Sequence, residues 1–156
     1  MSSLDVLVID DNKTTRDMLR TLLEFEGHNV SCCANGKSGL ELIKSRRFEI
    51  IVTDYLMPEM NGDEVTKLAR RFSPDSFIIG CSIDAKARQF VDAGAHAFLS
   101  KDRVIYQLAS LIELRAFLHS TTNAPAYPAE YRGSHSKDAA NNGMRDGQGV
   151  KIKSGY

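Results

Sequence analysis

The chain has 156 residues with 20 basic and 20 acidic side chains, so its formal net charge is zero. A neutral chain offers no basic field for nucleic acid or for an anionic membrane surface. No apolar run is long enough to span a bilayer, and no positively charged leader precedes the first apolar residues, which predicts a cytoplasmic protein. The three cysteines include the adjacent Cys32 and Cys33 and are interpreted as reduced packing residues.

Apolar segments alternate with helical patterns five times between residues 4 and about 119. This alternation predicts βαβ units, and therefore an α/β fold with a doubly wound, five-stranded parallel sheet and helices on both faces. The half-polar segments 28–33 and 95–100 are predicted edge strands, because an edge strand needs less apolar surface than a central one. The predicted strands are residues 4–9, 28–33, 48–52, 77–81 and 95–100.

Each segment between the predicted strands spaces its apolar residues three or four positions apart, as an amphipathic helix does. Gly27 and Gly94 are the predicted C-terminal stops of the first and fourth helices. The predicted core faces consist of Met18, Leu19, Leu22, Leu23, Leu40, Ile43, Val65, Leu68, Ala69, Phe72, Ala87, Phe90, Val91, Val104, Ile105, Leu108, Leu111, Ile112 and Leu118.

The composition changes at about residue 120. Residues 120–156 contain five of the eleven glycines and show no sustained apolar periodicity. Such a segment buries too little surface to offset the entropy lost on ordering. The sequence therefore predicts one domain over residues 1–119 and a disordered polar tail over 120–156, a tail too short and too polar for a DNA-binding output domain.

Polar residues stand where four of the predicted strands end. They are Asp10, Asp11, Asp54, Ser82 and Lys101. A parallel sheet brings those ends to one edge, where three crowded carboxylates require a cation. Mg²⁺ fits because it prefers oxygen ligands and keeps waters for a phosphoryl group, which the ammonium and the hydroxyl can also bind. Each residue also has a structural interpretation, as a helix-start acid, a helix cap or a solvated surface charge.

The segments "IDDN", "DYLMPEMNG", "GCS" and "AGAHAFLSK" and their spacing carry a family resemblance. Over residues 4 to about 118 the chain resembles the receiver domain of bacterial two-component response regulators, in particular the single-domain chemotaxis type. The resemblance implies a flavodoxin-like sheet of order 2-1-3-4-5. It also implies that Asp54 accepts a phosphoryl group from a histidine kinase or a histidine phosphotransfer protein.

By the same resemblance, Asp10, Asp11, Asp54 and the backbone carbonyl of Tyr55 would hold Mg²⁺, and Lys101 would pair with the phosphoryl group. Ser82 would move toward that group, and this movement is linked to an aromatic residue, here Phe98. The fourth helix, fifth strand and fifth helix would then change the face offered to a downstream protein target.

Tyr106, Leu114 and Phe117 lie off the core stripe of the last helix. If exposed, they form an apolar patch suited to a protein partner or to a homodimer through this helix, and burial under the tail is the alternative. No direct contact with nucleic acid or membrane is expected.

The chain departs from the family pattern near the site. Asp102 follows Lys101 where many receivers have proline, and it sets another acid beside the ammonium. Ile83 follows Ser82 where a small residue is usual, and its bulk is expected to restrict access to Asp54. Leu56 and Asp84 occupy positions that tune the hydrolytic water, and Leu56 cannot hydrogen-bond it, which favours a long-lived phosphorylated state.

Two other functions remain open from the sequence. An aspartate-nucleophile phosphohydrolase also uses Mg²⁺, but it places the nucleophile in a D-x-D pattern after the first strand, which "DDNK" lacks. A pseudo-receiver would serve only as a binding scaffold. The preferred interpretation is a phosphoacceptor signalling protein rather than a turnover enzyme.

Overall fold

The structure is a computed structural model that describes residues 3–122, with the backbone alone for 118–122. Residues Met1–Thr121 form one compact unit. Beyond residue 122 the predicted tail lies outside the described residues, so its disorder stays a prediction. The elements are β1 Asp5–Ile9, α1 Lys13–Phe25, β2 Asn29–Cys33, α2 Gly36–Ser45, β3 Ile50–Asp54, α3 Gly62–Phe72, β4 Phe77–Ser82, α4 Ala87–Ala93, β5 Ala97–Ser100 and α5 Val104–Thr122.

The five strands form one sheet in the order β2-β1-β3-β4-β5, and every neighbouring pair is parallel. Both the predicted doubly wound fold and the two predicted edge strands are confirmed. Ile9 lies opposite Thr53, and Asp54 lies opposite Cys81, so the carboxyl ends of the central strands meet at one edge. This edge is where a sheet of this type binds ligands.

Each face of the sheet has its own apolar core. On one face, Val6 and Val8 of β1 pack with residues of α1 and α5, including Leu19 and Leu108. On the other, Leu7 and Ile9 pack with residues of α2 and α3. Successive side chains of a strand point to opposite faces, so the apolar residues of β1 and β3 are covered on both sides.

The predicted helix stripes are wrong at Phe72, Ala87, Val91 and Ile105, which are exposed. Helix α4 has only seven residues and buries Phe90 and Ala93, so Ala87 and Val91 stay in solvent. Phe72 is the last residue of α3, and its ring is covered by the ammonium of Lys44, 4.7 Å from the centroid. The side chain of Leu118 lies outside the described residues.

The three cysteines are free thiols; Cys33 and Cys81 are buried, and Cys32 is partly buried. Burial raises the pKa of Cys81 to about 12, so this thiol stays protonated and acts as a packing residue. Gly27 and Gly94 both have positive φ, 88° and 96°, at the ends of α1 and α4, as the predicted stops require. Among residues 3–122, no helix combines the length and apolarity needed to cross a membrane.

Candidate functional site

The sheet brings four of the predicted site residues to one edge. Asp10 follows β1, Asp54 ends β3, Ser82 ends β4 and Lys101 follows β5. Asp10, Asp54 and Ser82 are buried, whereas Asp11 is exposed at the rim. One carboxylate oxygen from each of Asp10, Asp11 and Asp54 lies within 4.8 Å of the other two. The three acids therefore form the cluster that the sequence predicts.

Lys101 joins the two buried carboxylates. Its Nζ lies 2.8 Å from Asp10 Oδ2 and 2.9 Å from Asp54 Oδ2, and its side chain is only 15% exposed. The interpretation of Lys101 as a solvated surface charge is therefore wrong. A buried ammonium between two carboxylates reduces the repulsion that would otherwise push the acids apart.

The pKa values of Asp54 and Lys101 are set by competing effects of burial and charge. Burial raises the pKa of Asp54 above its ordinary value, and the hydrogen bond and charge of Lys101 oppose this only in part. Burial alone would lower the pKa of Lys101, but hydrogen bonds to Asp10 and Asp54 outweigh it, and the pKa of Lys101 is raised. The charge of Lys101 therefore offsets only part of the cost of burying an ionised Asp54.

The remaining oxygens of the buried acids accept backbone hydrogen bonds. Asp54 Oδ1 accepts from the Tyr55 N–H at 2.8 Å, and Asp10 Oδ1 accepts from the Asn12 N–H at 2.8 Å. The Asn12 side chain caps α1 by accepting from the Thr15 N–H at 3.0 Å. These bonds place the first turn of α1 directly behind the acids and fix the direction of both buried carboxylates.

Arg16 is a site residue that the sequence analysis missed. Its Nη1 donates to the backbone carbonyls of Asp10, at 2.7 Å, and of Asp11, at 2.9 Å. Its spacing, one helical turn after the Asn12 cap, is the signal from which this contact could have been anticipated.

The loop between β3 and α3 packs tightly against the backbone of Asp54, the predicted phosphoacceptor. The Gly62 N–H donates to the Tyr55 carbonyl at 2.7 Å. A Cβ at Gly62 would lie 2.0 Å from the Asp54 carbonyl oxygen, so only glycine fits there. The Tyr55 carbonyl, a predicted Mg²⁺ ligand, thus has one lone pair engaged within the loop, and its role toward a metal stays a prediction.

Ser82 is buried, and its hydroxyl accepts from the Asp84 N–H at 3.2 Å. It does not cap the fourth helix, because α4 begins only at Ala87 and its N-cap is Lys86. The Lys101 N–H donates to the Ser82 carbonyl at 2.9 Å, which ties the ends of β4 and β5 together. The movement of Ser82 toward a phosphoryl group stays a prediction.

A row of aromatic rings leads from the site to the predicted switch residue. Tyr55 meets Phe90 edge to face at 5.6 Å between centroids, and Phe90 meets Phe98 at 6.0 Å. Phe90 is fully buried, and a Cβ at Gly80 would lie 2.3 Å from its ring. The helical periodicity predicts Phe90 only as part of a core stripe and gives no sign of its contacts with Tyr55 and Phe98.

The departures from the family pattern are visible in the geometry. Ile83 is 83% exposed beside the buried Ser82, and Leu56 is exposed as well. The Asp102 carboxylate accepts from the Ser100 hydroxyl and also lies near Arg103, whereas the ion pairs of Lys101 are with Asp10 and Asp54. Asp102 therefore leaves the geometry of Lys101 intact.

The predicted apolar patch on α5 is present. Tyr106, Leu114 and Phe117 are all exposed. The alternative, burial under the tail, involves residues outside the described range.

Taken together, the parallel sheet, the three acids and the buried lysine define a receiver domain of two-component signalling. The chain belongs to the response regulator receiver domain family, whose model matches residues 6–113. It is 34% identical over 120 residues to the response regulator MprA of Mycolicibacterium vanbaalenii. The aligned residues cover 75% of this chain and 51% of that protein. It is also 35% identical over 89 residues to an uncharacterised 14.6 kDa protein of Leptolyngbya boryana, covering 57% of this chain and 68% of that one.

The chain spans about half the length of the MprA relatives it matches. Among solved structures it resembles a CheY-like receiver domain protein from Methanospirillum hungatei, with a TM-score of 0.72, 27% identity and coverage of 78% of this chain and 99% of that one. It also resembles a Burkholderia pseudomallei response regulator solved with a phosphorylated aspartic acid, a calcium ion and citrate, with a TM-score of 0.61, 26% identity and 75% coverage of each chain.

Proposed function

We propose that Asp54 accepts a phosphoryl group from a phosphohistidine of a histidine kinase or of a histidine phosphotransfer protein. The observation that carries this proposal is the pair of contacts from Lys101 Nζ to Asp10 and Asp54 beside the three-acid cluster. An Asp54 carboxylate oxygen would bond to phosphorus as the phosphorus–nitrogen bond breaks. The electron pair of that bond would stay on the departing imidazole.

The acids fit Mg²⁺, because it prefers hard oxygen ligands and one carboxylate oxygen from each of Asp10, Asp11 and Asp54 lies within 4.8 Å of the other two. The Tyr55 carbonyl is the further predicted ligand. When bound, Mg²⁺ would neutralise charge on the transferring phosphoryl group. The similar Burkholderia response regulator was solved with a phosphorylated aspartic acid, which supports an aspartate as the phosphoacceptor.

Side chains of the protein would bind the phosphoryl oxygens. Lys101, already held at the site by Asp10, would turn its remaining hydrogen bonds to a phosphoryl oxygen. The Ser82 hydroxyl, which accepts from the Asp84 N–H, would donate its own proton to another phosphoryl oxygen, and Phe98 would follow this change. Such positioning and charge stabilisation are what phosphoryl transfer requires of a protein.

The output would be a protein contact. The exposed Tyr106, Leu114 and Phe117 on α5 offer an apolar surface to a downstream target or to a second copy of the chain. A phosphoacceptor domain that signals through this surface, in the cytoplasm and without direct contact to nucleic acid or membrane, is the function that the site supports best.

The test uses amide NMR spectra of the full chain with Mg²⁺ and either acetyl phosphate or beryllofluoride, for wild type and Asp54→Asn. Shifts that require both Mg²⁺ and Asp54, and that extend to Ser82, Phe98 and α5, are expected. Absence of any response to both reagents would contradict the phosphoacceptor function and favour a binding scaffold. Steady turnover of a small phosphate ester would instead favour a phosphohydrolase.

Ile83 is proposed to restrict access to Asp54. It stands next to Ser82 and is 83% exposed, so its side chain is free to occupy the space through which small donors and water arrive. Ile83→Ala is expected to raise the rates of both acetyl phosphate labelling and hydrolysis several-fold. The control is Val91→Ala, at a 61% exposed apolar residue on α4. Equal rates in wild type and Ile83→Ala would contradict this role.

A further inference from the structure

Arg16 binds the backbone of residues 10–12, the acidic turn between β1 and α1. A single nitrogen, Nη1, donates to the Asp10 carbonyl at 2.7 Å and to the Asp11 carbonyl at 2.9 Å. Both acceptors belong to residues whose carboxylates form the acidic cluster with Asp54. Charge-assisted hydrogen bonds of this length are the strong ones, so the side chain holds two successive peptide groups in one orientation.

The other restraints on this turn act on Asp10 and Asn12. The Asp10 N–H donates to the Cys33 carbonyl at 3.2 Å, and the Asn12 N–H donates to the Asp10 carboxylate at 2.8 Å. Asp11 is exposed, and the backbone bond that the structure gives it is the one from Arg16 to its carbonyl. The orientation of the Asp11 peptide group, and with it the point from which the carboxylate projects, therefore depends on Arg16 more than that of Asp10 does.

Arg16 is anchored well enough to impose that orientation. It lies in the first turns of α1, its own N–H donates to the Asn12 carbonyl at 3.1 Å, and its side chain is partly buried. The helix is capped by Asn12 directly after the acidic pair. The guanidinium thus connects a fixed helix to the two peptide groups that precede it.

We infer that Arg16 is a positioning residue that holds the carboxylates of Asp10 and Asp11 in the arrangement that binds a divalent cation. This inference rests on the proposed Mg²⁺ site. Arg16 touches neither metal nor phosphoryl group in this role and acts through the peptide groups of the two acids.

The sign of the effect separates positioning from simple electrostatics. A guanidinium near the acidic cluster repels an arriving Mg²⁺, so loss of its charge alone should tighten Mg²⁺ binding. Loss of the two hydrogen bonds should weaken it, because groups that orient metal ligands typically contribute about 10- to 100-fold in metal affinity. The positioning role therefore predicts weaker binding in a variant that has become more acidic.

The experiment titrates Mg²⁺ alone, without a phosphodonor, into wild type, Arg16→Gln, Arg16→Lys and Arg20→Gln, and follows amide NMR shifts of the acidic turn. Arg20 is the matched control, since it removes the same charge one turn later on α1. Urea unfolding of each variant shows that the compared proteins are folded. Arg16→Gln is expected to weaken Mg²⁺ binding about 10-fold or more, Arg16→Lys by less, and Arg20→Gln to leave it within about 2-fold of wild type.

Binding to Arg16→Gln that equals or exceeds wild-type binding would overturn the inference. If Arg16→Gln does not fold, Arg16→Lys decides: weaker binding supports the inference and wild-type affinity overturns it. A wild-type protein that does not bind Mg²⁺ would instead remove the proposed metal site, and this inference with it. Changed carbonyl ¹³C shifts of Asp10 and Asp11 in metal-free Arg16→Gln would show that the peptide groups have moved.

Discussion

Lys101 is expected to stabilise the fold as well as the site. Its Nζ contacts Asp10 at 2.8 Å and Asp54 at 2.9 Å, and both carboxylates are almost fully buried. Lys101→Met leaves two buried negative charges without their shared cation. Removal of one partner from a buried ion pair costs about 3–5 kcal/mol, and the value here should lie near the lower end, because the Lys101 side chain is 15% exposed.

The assay is urea unfolding in buffer with a chelator, so that no divalent cation replaces the ammonium. Lys67→Met is the control, because Lys67 pairs with Asp63 at 3.8 Å and is 61% exposed, a geometry that contributes only about 0.5 kcal/mol. Adding Mg²⁺ should return part of the stability to Lys101→Met, since a bound cation stabilises the folded state. Adding Asp54→Asn to Lys101→Met should also recover part of it, because one of the two unpaired charges is gone.

A loss below about 1 kcal/mol in Lys101→Met would refute this reasoning, because it would place Lys101 among ordinary surface charges. A loss that neither Mg²⁺ nor Asp54→Asn reduces would also contradict it. The destabilisation would then come from lost packing of the lysine stem and not from unpaired carboxylates.

Three further outcomes follow from the site and its supports. Burial raises the pKa of Asp54, so the free energy of unfolding of the wild type in metal-free buffer should fall as pH rises from the ordinary pKa of 3.8 through the raised pKa of the folded state. Asp54→Asn should be the more stable protein at neutral pH and should show a smaller fall in a pH series of urea unfolding. Gly80→Ala puts a Cβ 2.3 Å from the Phe90 ring and should lower the free energy of unfolding by about 1–3 kcal/mol. Most of this loss should be absent when Gly80→Ala is made in the Phe90→Leu protein, and equal losses in both proteins would contradict the clash. Glu59 has φ of 67°, and Glu59→Asn should raise the free energy of unfolding by about 0.5–1 kcal/mol because asparagine tolerates this conformation; an unchanged urea midpoint would contradict strain there.

The fold was predictable because its signals are local. The apolar periodicity within about ten residues indicates each strand and helix. The rules for connecting parallel strands then allow only a few topologies. The acids and Lys101 were predictable for the same reason, since each one lies at or directly after the carboxyl end of a strand, and the ends of parallel strands meet at one edge. Adjacency of this kind needs no knowledge of side-chain packing.

Most of the features that sequence reasoning missed depend on packing between distant segments. The contacts of Phe90 with Tyr55 and Phe98 join residues on α4, the β3–α3 loop and β5, and no periodicity reports them. The exposure of Val91 follows from the brevity of α4, which ends where Gly94 adopts positive φ. Arg16 sits in a helix pattern that an arginine fits equally well when it points to solvent.

The contacts of Arg16 with Asp10 and of Phe90 with Tyr55 bear on how a phosphoryl group on Asp54 would change its surroundings. Arg16 ties the Asp10 end of the site to α1, so the acid that would stay paired with Lys101 is held in place. If Asp54 accepts a phosphoryl group, Lys101 must turn from the Asp54 oxygen to the new group. Its N–H is bonded to the Ser82 carbonyl, and Phe98 precedes it by three residues on β5. A displacement of Lys101 would thus act on β4, on β5 and on the contact of Phe98 with Phe90.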